Sequence, residues 1–380
     1  MKTPPAATPL YYLGLMSGTS LDGIDVALIS IEPSSPPWLV ATHAEPMPDV
    51  LHSALLALCH AEQTRFAKLA FAEDAFCRLQ AQAVKALLNK QGLSPRDICA
   101  IGSHGQTVEH APGGHHDGPA YTLQLDNPSL LAELTGCTVV ADFRRRDLAA
   151  GGQAAPLAPA FHQALFGRHT HEQLILNLGG FANVTWLPRD PHQPVMGFDT
   201  GPANVLLDAW FAEHQTGRFD QSGAWAASGK TDHALLSRLL AEPFFHQPPP
   251  RSTGRELFHL TWLKQQLTGK EAPVDVQATL AELTAISVAR GIEQLLPERP
   301  SVTLITCGGG AHNNYLMTRL AHHLPNATLT SPSAYGWPED WIEAGAFAWL
   351  AHQRLHLQPG NLPSVTGARG YRVLGGIYAP

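Results

Sequence analysis

Leu13-Gly14-Leu15-Met16-Ser17-Gly18-Thr19-Ser20-Leu21-Asp22-Gly23-Ile24-Asp25-Val26-Ala27-Leu28-Ile29 sets a hydroxyl-rich glycine turn between two apolar runs. Tyr12, Leu13 and Leu15 before the turn, and Val26, Ala27, Leu28 and Ile29 after it, have the length and β-branched content of buried strands, which predicts a hairpin. Gly18 and Gly23 are expected to allow positive φ and close approach of backbone amides to an anion, while Ser17, Thr19 and Ser20 add hydroxyl donors. Asp22 and Asp25 would repel a bare phosphate. With Mg²⁺ present they become its ligands, directly or through water. The stretch reads as a phosphate-binding hairpin and points to a kinase; an ordinary tight turn with a soluble tip is the alternative for these residues taken alone.

Other glycine motifs fail. No G-x-x-x-x-G-K-[ST] occurs, which excludes a P-loop as the source of phosphate binding. Gly308-Gly309-Gly310 follows the apolar run Val302-Thr303-Leu304-Ile305-Thr306-Cys307, but Asn313 stands where a dinucleotide fingerprint needs its last glycine. In Gly14-Leu15-Met16-Ser17-Gly18 the serine is one place late for a nucleophile elbow.

A chain of 380 residues with 44% hydrophobic content can bury a sizeable core, and its length suggests two domains. The formal charge of −7, with Arg144-Arg145-Arg146 as the sole basic cluster, argues against nucleic acid as a partner. No apolar run approaches a membrane span and the N-terminus lacks the apolar core of a secretory signal, so the expectation is a cytoplasmic protein without a membrane partner. Five scattered cysteines without C-x-x-C pairing suggest buried free thiols rather than disulfides or structural zinc. Among twenty histidines, His115-His116 lies in a Pro/Gly-rich loop with no framework to fix ligand geometry.

Beyond the hairpin, apolar residues from Leu51 to Leu87 recur near helical spacing and predict a helical stretch from about 50 to 90, closed by Gly92 as a C-cap. Two short buried strands follow, one running into Ser103-His104-Gly105-Gln106-Thr107 and one into Asp142-Phe143-Arg144-Arg145-Arg146-Asp147. Polar groups just beyond the carboxyl end of a buried strand are how α/β proteins build sites. The second half repeats the theme: Gln173 to Leu187 is strand, Gly179-Gly180 turn, strand, followed by Gly197-Phe198-Asp199-Thr200-Gly201-Pro202. Val276, Leu280, Leu283, Ile286, Ala289, Ile292 and Leu296 step by three and four, predicting one long amphipathic helix over 275–296. The two hairpins share a plan without close identity, which implies a duplicated domain. The fold class is therefore α/β, with two ribonuclease-H-like domains around a central cleft, as in sugar kinases, actin and actin-like chaperones. The expected domains are 9–150 and 151–380, with the last helix and tail free to pack back on the first. Fold alone does not name the reaction.

The sequence resembles the bacterial anhydro-N-acetylmuramic acid kinases over nearly its whole length. The resemblance rests on Gly14-Leu15-Met16-Ser17-Gly18-Thr19-Ser20-Leu21-Asp22-Gly23, Ile101-Gly102-Ser103-His104-Gly105-Gln106-Thr107, Ala141-Asp142-Phe143-Arg144-Arg145-Arg146-Asp147, Asn177-Leu178-Gly179-Gly180, Gly197-Phe198-Asp199-Thr200-Gly201-Pro202, Ser252-Thr253-Gly254-Arg255-Glu256 and Cys307-Gly308-Gly309-Gly310. Ala203 departs from it, standing where the family commonly has glycine. The resemblance implies an ATP-dependent kinase of peptidoglycan recycling. Such an enzyme hydrolytically opens the anhydro bridge of 1,6-anhydro-N-acetylmuramic acid and phosphorylates the 6-oxygen, giving N-acetylmuramic acid 6-phosphate. It implies Asp199 as the catalytic base, a role for which a carboxylate beside an anomeric carbon is suited; a turn-capping aspartate is the plainer alternative. It places ATP against Gly18, Thr19, Ser20, Leu21, Asp22, Gly23, Ile24 and Asp25, with Gly179 and Gly180 toward the phosphates and Gly308, Gly309 and Gly310 toward adenosine. Asp22 and Asp25 are the expected partners of Mg²⁺, through water. Ser103, His104, Gln106, Asp142, Arg144 and Arg146 are sugar-side candidates, the arginines suiting the lactyl carboxylate; Glu343 is another, or an exposed helix residue. Homodimers are common in the family. Another sugar kinase of this fold and a non-enzymatic actin-like ATP switch are the rival readings.

Overall fold

The computed structural model describes residues 10–380 except Thr19, Ser34, Glu62, 115–117, 168–170, Pro191, Pro250, Glu256 and Arg299. Thr19 of the hairpin and the His115-His116 pair therefore lie outside the described residues. Thirteen strands are described: β1 (Leu10–Met16), β2 (Gly23–Ile31), β3 (Trp38–Pro46), β4 (Ile98–Ser103), β5 (Gln106–Ala111), β6 (Tyr121–Leu125), β7 (Val139–Ala141), β8 (Glu172–Leu178), β9 (Phe181–Leu187), β10 (Met196–Pro202), β11 (Val302–Cys307), β12 (Ala327–Thr330) and β13 (Gly376–Tyr378).

The hairpin forms as expected, β1 running antiparallel to β2 with Leu13 opposite Leu28 and Leu15 opposite Val26. Its sheet is ordered β13-β7-β4-β1-β2-β3, with β3 antiparallel to β2, β4 parallel to β1, β7 parallel to β4, and β13 antiparallel to β7. A second sheet, β10-β9-β8-β11-β12, repeats the plan: three antiparallel strands, then two parallel ones. Two copies of the 3-2-1-4-5 order make the architecture a duplicated ribonuclease-H-like α/β fold.

The chain divides into one unit of residues up to Phe166 together with Trp341–Pro380, and another of Gly167–Asp340. The expected boundary after 150 differs because helix Ala158–Phe166 packs on helix Ile342–Leu355, with Phe161 and Trp349 ring centroids 6.2 Å apart. Alternation along β1 explains why helix Ile342–Leu355 belongs to the first unit. Leu13 and Leu15 face the cluster built with Phe76, Val84 and Leu87 of helix Phe66–Gln91. Tyr12 and Gly14 face the other way, Tyr12 meeting His352 edge-on at 5.2 Å. Gly14 and Gly102 are register partners on β1 and β4, and both are bare because the helix backbone lies on them. A Cβ at Gly14 would fall 1.8 Å from the Ala344 carbonyl oxygen, and one at Gly102 would fall 2.0 Å from that of Phe347.

Two helix expectations need correction. The stretch 50–90 is two helices, Asp49–Cys59 and Phe66–Gln91, because residues 60–65 offer no apolar side chain larger than alanine to bury. Phe66, counted toward the apolar pattern, is 88% exposed at the new helix start. Gly92 does cap the second helix in the left-handed conformation. Helix Pro273–Leu295 is buried nearly all round over its middle, since β9 and β10 cover one side and helix Asn314–His323 another. Its enclosed Glu282 is met by Arg319 Nη2 at 2.9 Å and His323 Nε2 at 2.8 Å, which hold the carboxylate ionised. Among the described residues no helix is long and apolar enough to cross a membrane.

Candidate active site

In the first unit the hairpin turn closes through Leu21 N–H donating to the Gly18 carbonyl at 3.3 Å and Ser17 Oγ donating to that of Gly23 at 3.0 Å. The left-handed residue is Leu21, at φ 56°, and neither Gly18 nor Gly23. Burial of the leucine side chain, 2% exposed, offsets a conformation that glycine would adopt without cost. Gly23 is bare for a different reason: a Cβ would sit 2.6 Å from the Glu45 carbonyl oxygen of β3. At Gly18 no atom lies within 3.4 Å of such a Cβ, so the turn is open there. Leu21 and Ile24 bury their side chains and leave only backbone to a ligand. Asp22 is exposed and accepts from Ser20 Oγ at 2.9 Å; Asp25 is half-buried on β2.

Behind the turn, Gln106 Nε2 donates to the Gly18 carbonyl at 3.4 Å, tying the start of β5 to the hairpin. Ser103 is fully enclosed, its Oγ accepting from Gln80 Nε2 at 2.9 Å, which makes it a support of β4. His104 Nε2 accepts from Arg144 Nε at 3.2 Å, so the neutral ring carries its proton on Nδ1. Burial, then the Arg144 charge, hold His104 well below its ordinary value. Arg144 also spends a donor on the Ala154 carbonyl at 2.8 Å, and two of its five N–H groups remain outside these bonds. Burial lowers the guanidinium to about 10 against the pull of Glu343 and Asp147. Glu343, at the start of helix Ile342–Leu355, is accessible yet recessed enough for its carboxyl to be pushed up, with Arg144 opposing. Arg144, His104 and Glu343 thus form one polar group, while Gln106 is bonded to the hairpin turn.

Asp142 and Arg146 do not join it. Helix Phe143–Ala149 turns Arg144 and buried Asp147 inward, while Asp142, Arg145, Arg146 and Ala149 share the outward face at the i, i+3, i+4, i+7 spacing.

In the second unit β10 carries Asp199 opposite Asn183, and a register shift follows before Gly201 pairs with Ala182. The segment after the proline run fixes Asp199 on three sides. Its N–H donates to the Arg251 carbonyl at 3.0 Å, its carbonyl accepts from Arg251 Nε at 3.1 Å, and its Oδ2 accepts from the Thr253 N–H at 2.9 Å. Arg251 is itself held between the rings of Phe198 and Phe244, at 5.4 and 5.1 Å, and donates to the Gln247 carbonyl.

The Gly179-Gly180 turn lies at the end of β8, its carbonyls accepting from Ala203, Asn204 and Val205 N–H groups. Ala203 is itself buried. Gly308 and Gly310 are bare because β8 presses on them: Cβ atoms there would meet Asn177 Oδ1 at 2.4 Å and Leu178 Cβ at 2.7 Å. Gly309 is the exposed one, on the wall of a 360 Å³ cavity with Asn204, Asp208, Gln221, His312 and Asn313. Asp208 is pushed up to about 6 by burial, against the charge of Arg218.

The anhydro-N-acetylmuramic acid kinase family model matches residues 10–380. The chain belongs to the anhydro-N-acetylmuramic acid kinase family. A member from Chromohalobacter salexigens is 60% identical over 97% of this chain and 99% of its own. One from Pseudomonas syringae pv. syringae is 51% identical over the same shares. Among solved structures, the component A of Acidaminococcus fermentans (R)-2-hydroxyglutaryl-CoA dehydratase aligns over 89% of this chain and 96% of its own at 12% identity, with a TM-score of 0.45.

Within this family member, three contributors escaped the sequence reading: Arg251 and the Thr253 amide around Asp199, and Asp126 beside the Ser103 support. Asp126 is pushed up to about 6 by burial, although Ser103 and the Asn127 backbone favour its ionised form. A raised carboxyl stabilises the fold fully below the ordinary value near 4, and that contribution is lost as pH rises through about 6. Asp126→Asn is therefore expected to unfold at higher urea than the parent at pH 8, by on the order of 1–2 kcal/mol, and to match it near pH 4. Parallel urea curves at the two pH values with the same gap would remove the titration from the account.

Proposed function

We propose that the chain is an ATP-dependent kinase that opens the internal bridge of 1,6-anhydro-N-acetylmuramic acid with water and phosphorylates the 6-oxygen. The observation that carries this is the Asp199 carboxylate, held at Oδ2 by the Thr253 amide and on its backbone by Arg251, on the strand β10 that leads into Ala203, whose N–H donates to the Gly180 carbonyl. Asp199 takes the proton of the water that attacks the anomeric carbon; the bond from that carbon to the bridging oxygen breaks, and the 6-oxygen so released attacks the γ-phosphorus as ADP leaves. Arg144, with two donors uncommitted by the bonds above, suits the sugar's carboxylate. His104 and Gln106 hold Arg144 and the hairpin turn, and Glu343 supplies a second polar group beside Arg144. Open backbone at Gly18, Gly179 and Gly180 suits phosphate oxygens, and the Gly309 cavity suits adenosine.

Mg²⁺ belongs to the reading as the counter-charge of ATP. The two hard carboxylates Asp22 and Asp25 on the hairpin are the donors that fit it, through water. Asp22→Asn is expected to raise the Mg²⁺ concentration needed for half-maximal turnover several-fold, with folding unchanged because Asp22 is exposed. A Mg²⁺ titration superimposable on that of the parent would end this role.

Incubation with the anhydro sugar and Mg-ATP, followed by mass analysis of the product, tests the whole reading. N-acetylmuramic acid 6-phosphate is expected. Preference for free N-acetylmuramic acid or N-acetylglucosamine would favour a different sugar kinase, and ATP turnover indifferent to sugar would favour an ATP switch.

A further inference from the structure

The outward face of helix Phe143–Ala149 borders a recess of 570 Å³, within the roughly 300–1,000 Å³ typical of small-molecule sites. Its wall brings together Arg145 and Arg146 from that helix, Arg354 from the far end of helix Ile342–Leu355, and the backbone leading into β13. Three arginines from two elements share the wall with a single acidic residue, Asp142, whose carboxylate oxygen lies 3.7 Å from Arg145. This concentration occurs in a chain whose formal charge is −7. Arg354 Nε is sealed from solvent with no hydrogen-bond partner among the described residues, a costly state for a charged donor group. Arg144, on the opposite face of the helix, is engaged by His104 and Ala154 and takes no part in the recess.

We propose that this recess binds a small polyanion through Arg145, Arg146 and Arg354, as a site separate from the group formed by Arg144, His104 and Glu343. Oxyanions bearing several charges, whether phosphate or carboxylate, match forked guanidinium donors best. A ligand here would brace helix Phe143–Ala149 against the end of helix Ile342–Leu355.

The test is thermal unfolding of the full chain titrated with inorganic phosphate or with citrate, each against sodium chloride of equal ionic strength. Arg354→Gln and Arg145→Gln are compared with the parent, and Arg65→Gln, on a different surface, serves as control. At least one of the two anions is expected to raise the melting temperature saturably in the parent and in Arg65→Gln, beyond sodium chloride. Its half-saturating concentration should rise by at least about tenfold in both recess variants. A stronger response to phosphate assigns the site to phosphorylated ligands, and a stronger one to citrate assigns it to carboxylates. Arg145 stands on an exposed helix face, so that variant remains informative if Arg354→Gln fails to fold. Equal titrations in parent and recess variants, as binding at the phosphate hairpin would produce, or a response reproduced by sodium chloride, would overturn the proposal.

Discussion

Asp199→Asn is expected to lose on the order of 10²- to 10⁴-fold in turnover while folding and ATP affinity stay near those of the parent. The separation follows from how the residue is held. Two of the three contacts described above use backbone atoms, which the substitution leaves alone, and an amide oxygen can still accept from the Thr253 N–H that now meets Oδ2 at 2.9 Å. What asparagine cannot do is take a proton from water. In heavy-oxygen water the parent's product should carry label at the anomeric hydroxyl and none in the bridge between sugar and phosphorus. Label in that bridge would mean that the 6-oxygen came from solvent. A variant with near-normal turnover would mean that another group is the base.

Much of the fold could be read from the chain because strands announce themselves locally. The run Val26-Ala27-Leu28-Ile29 has nowhere to go but a buried sheet, and the Gly179-Gly180 turn sits between two such runs. What could not be read is what depends on partners distant in sequence. Gly14 and Gly102 look like flexible points until register sets them side by side under a helix that begins 240 residues after the second of them, at Ile342. The sequence leaves the last helix and tail free to return to the first domain, but the packing of helix Ala158–Phe166 on helix Ile342–Leu355 has no local signature, and it carries the first unit on to Phe166 rather than to 150. Glycine at Gly23 was read as a conformational need and proved to be a steric one, while a buried leucine at 21 took the left-handed conformation. The arginine run was partly decipherable: once Phe143–Ala149 is a helix, its period alone sets Arg144 apart from Arg145 and Arg146. The Thr253 amide carries no side-chain signal, and only the folded loop reveals its aim at Asp199.

Gly14→Ala should cost about 3 kcal/mol or more in urea unfolding, an unusually large penalty for one methyl group. The new Cβ would lie 1.8 Å from the Ala344 carbonyl oxygen and 2.5 Å from the Ala348 nitrogen. Both are backbone atoms of a helix buried against the sheet, so no side chain can swing aside and the helix itself must lift. Gly113→Ala, where nothing lies within 4 Å and φ is not positive, should change stability by no more than about 0.5 kcal/mol. Because Ala344 follows Glu343, lifting the helix also moves that carboxylate relative to Arg144. Under the proposed sugar-side role, KM for the sugar should rise more than KM for ATP. Gly102→Ala strikes the same helix one strand away, 2.0 Å from the Phe347 carbonyl oxygen. A helix already lifted by one methyl group has made part of the room for the other, so the double variant should cost less than the sum of the single ones. Strict additivity would show that the two glycines relieve separate clashes, and a Gly14→Ala protein as stable as the parent would show that the helix does not rest on β1.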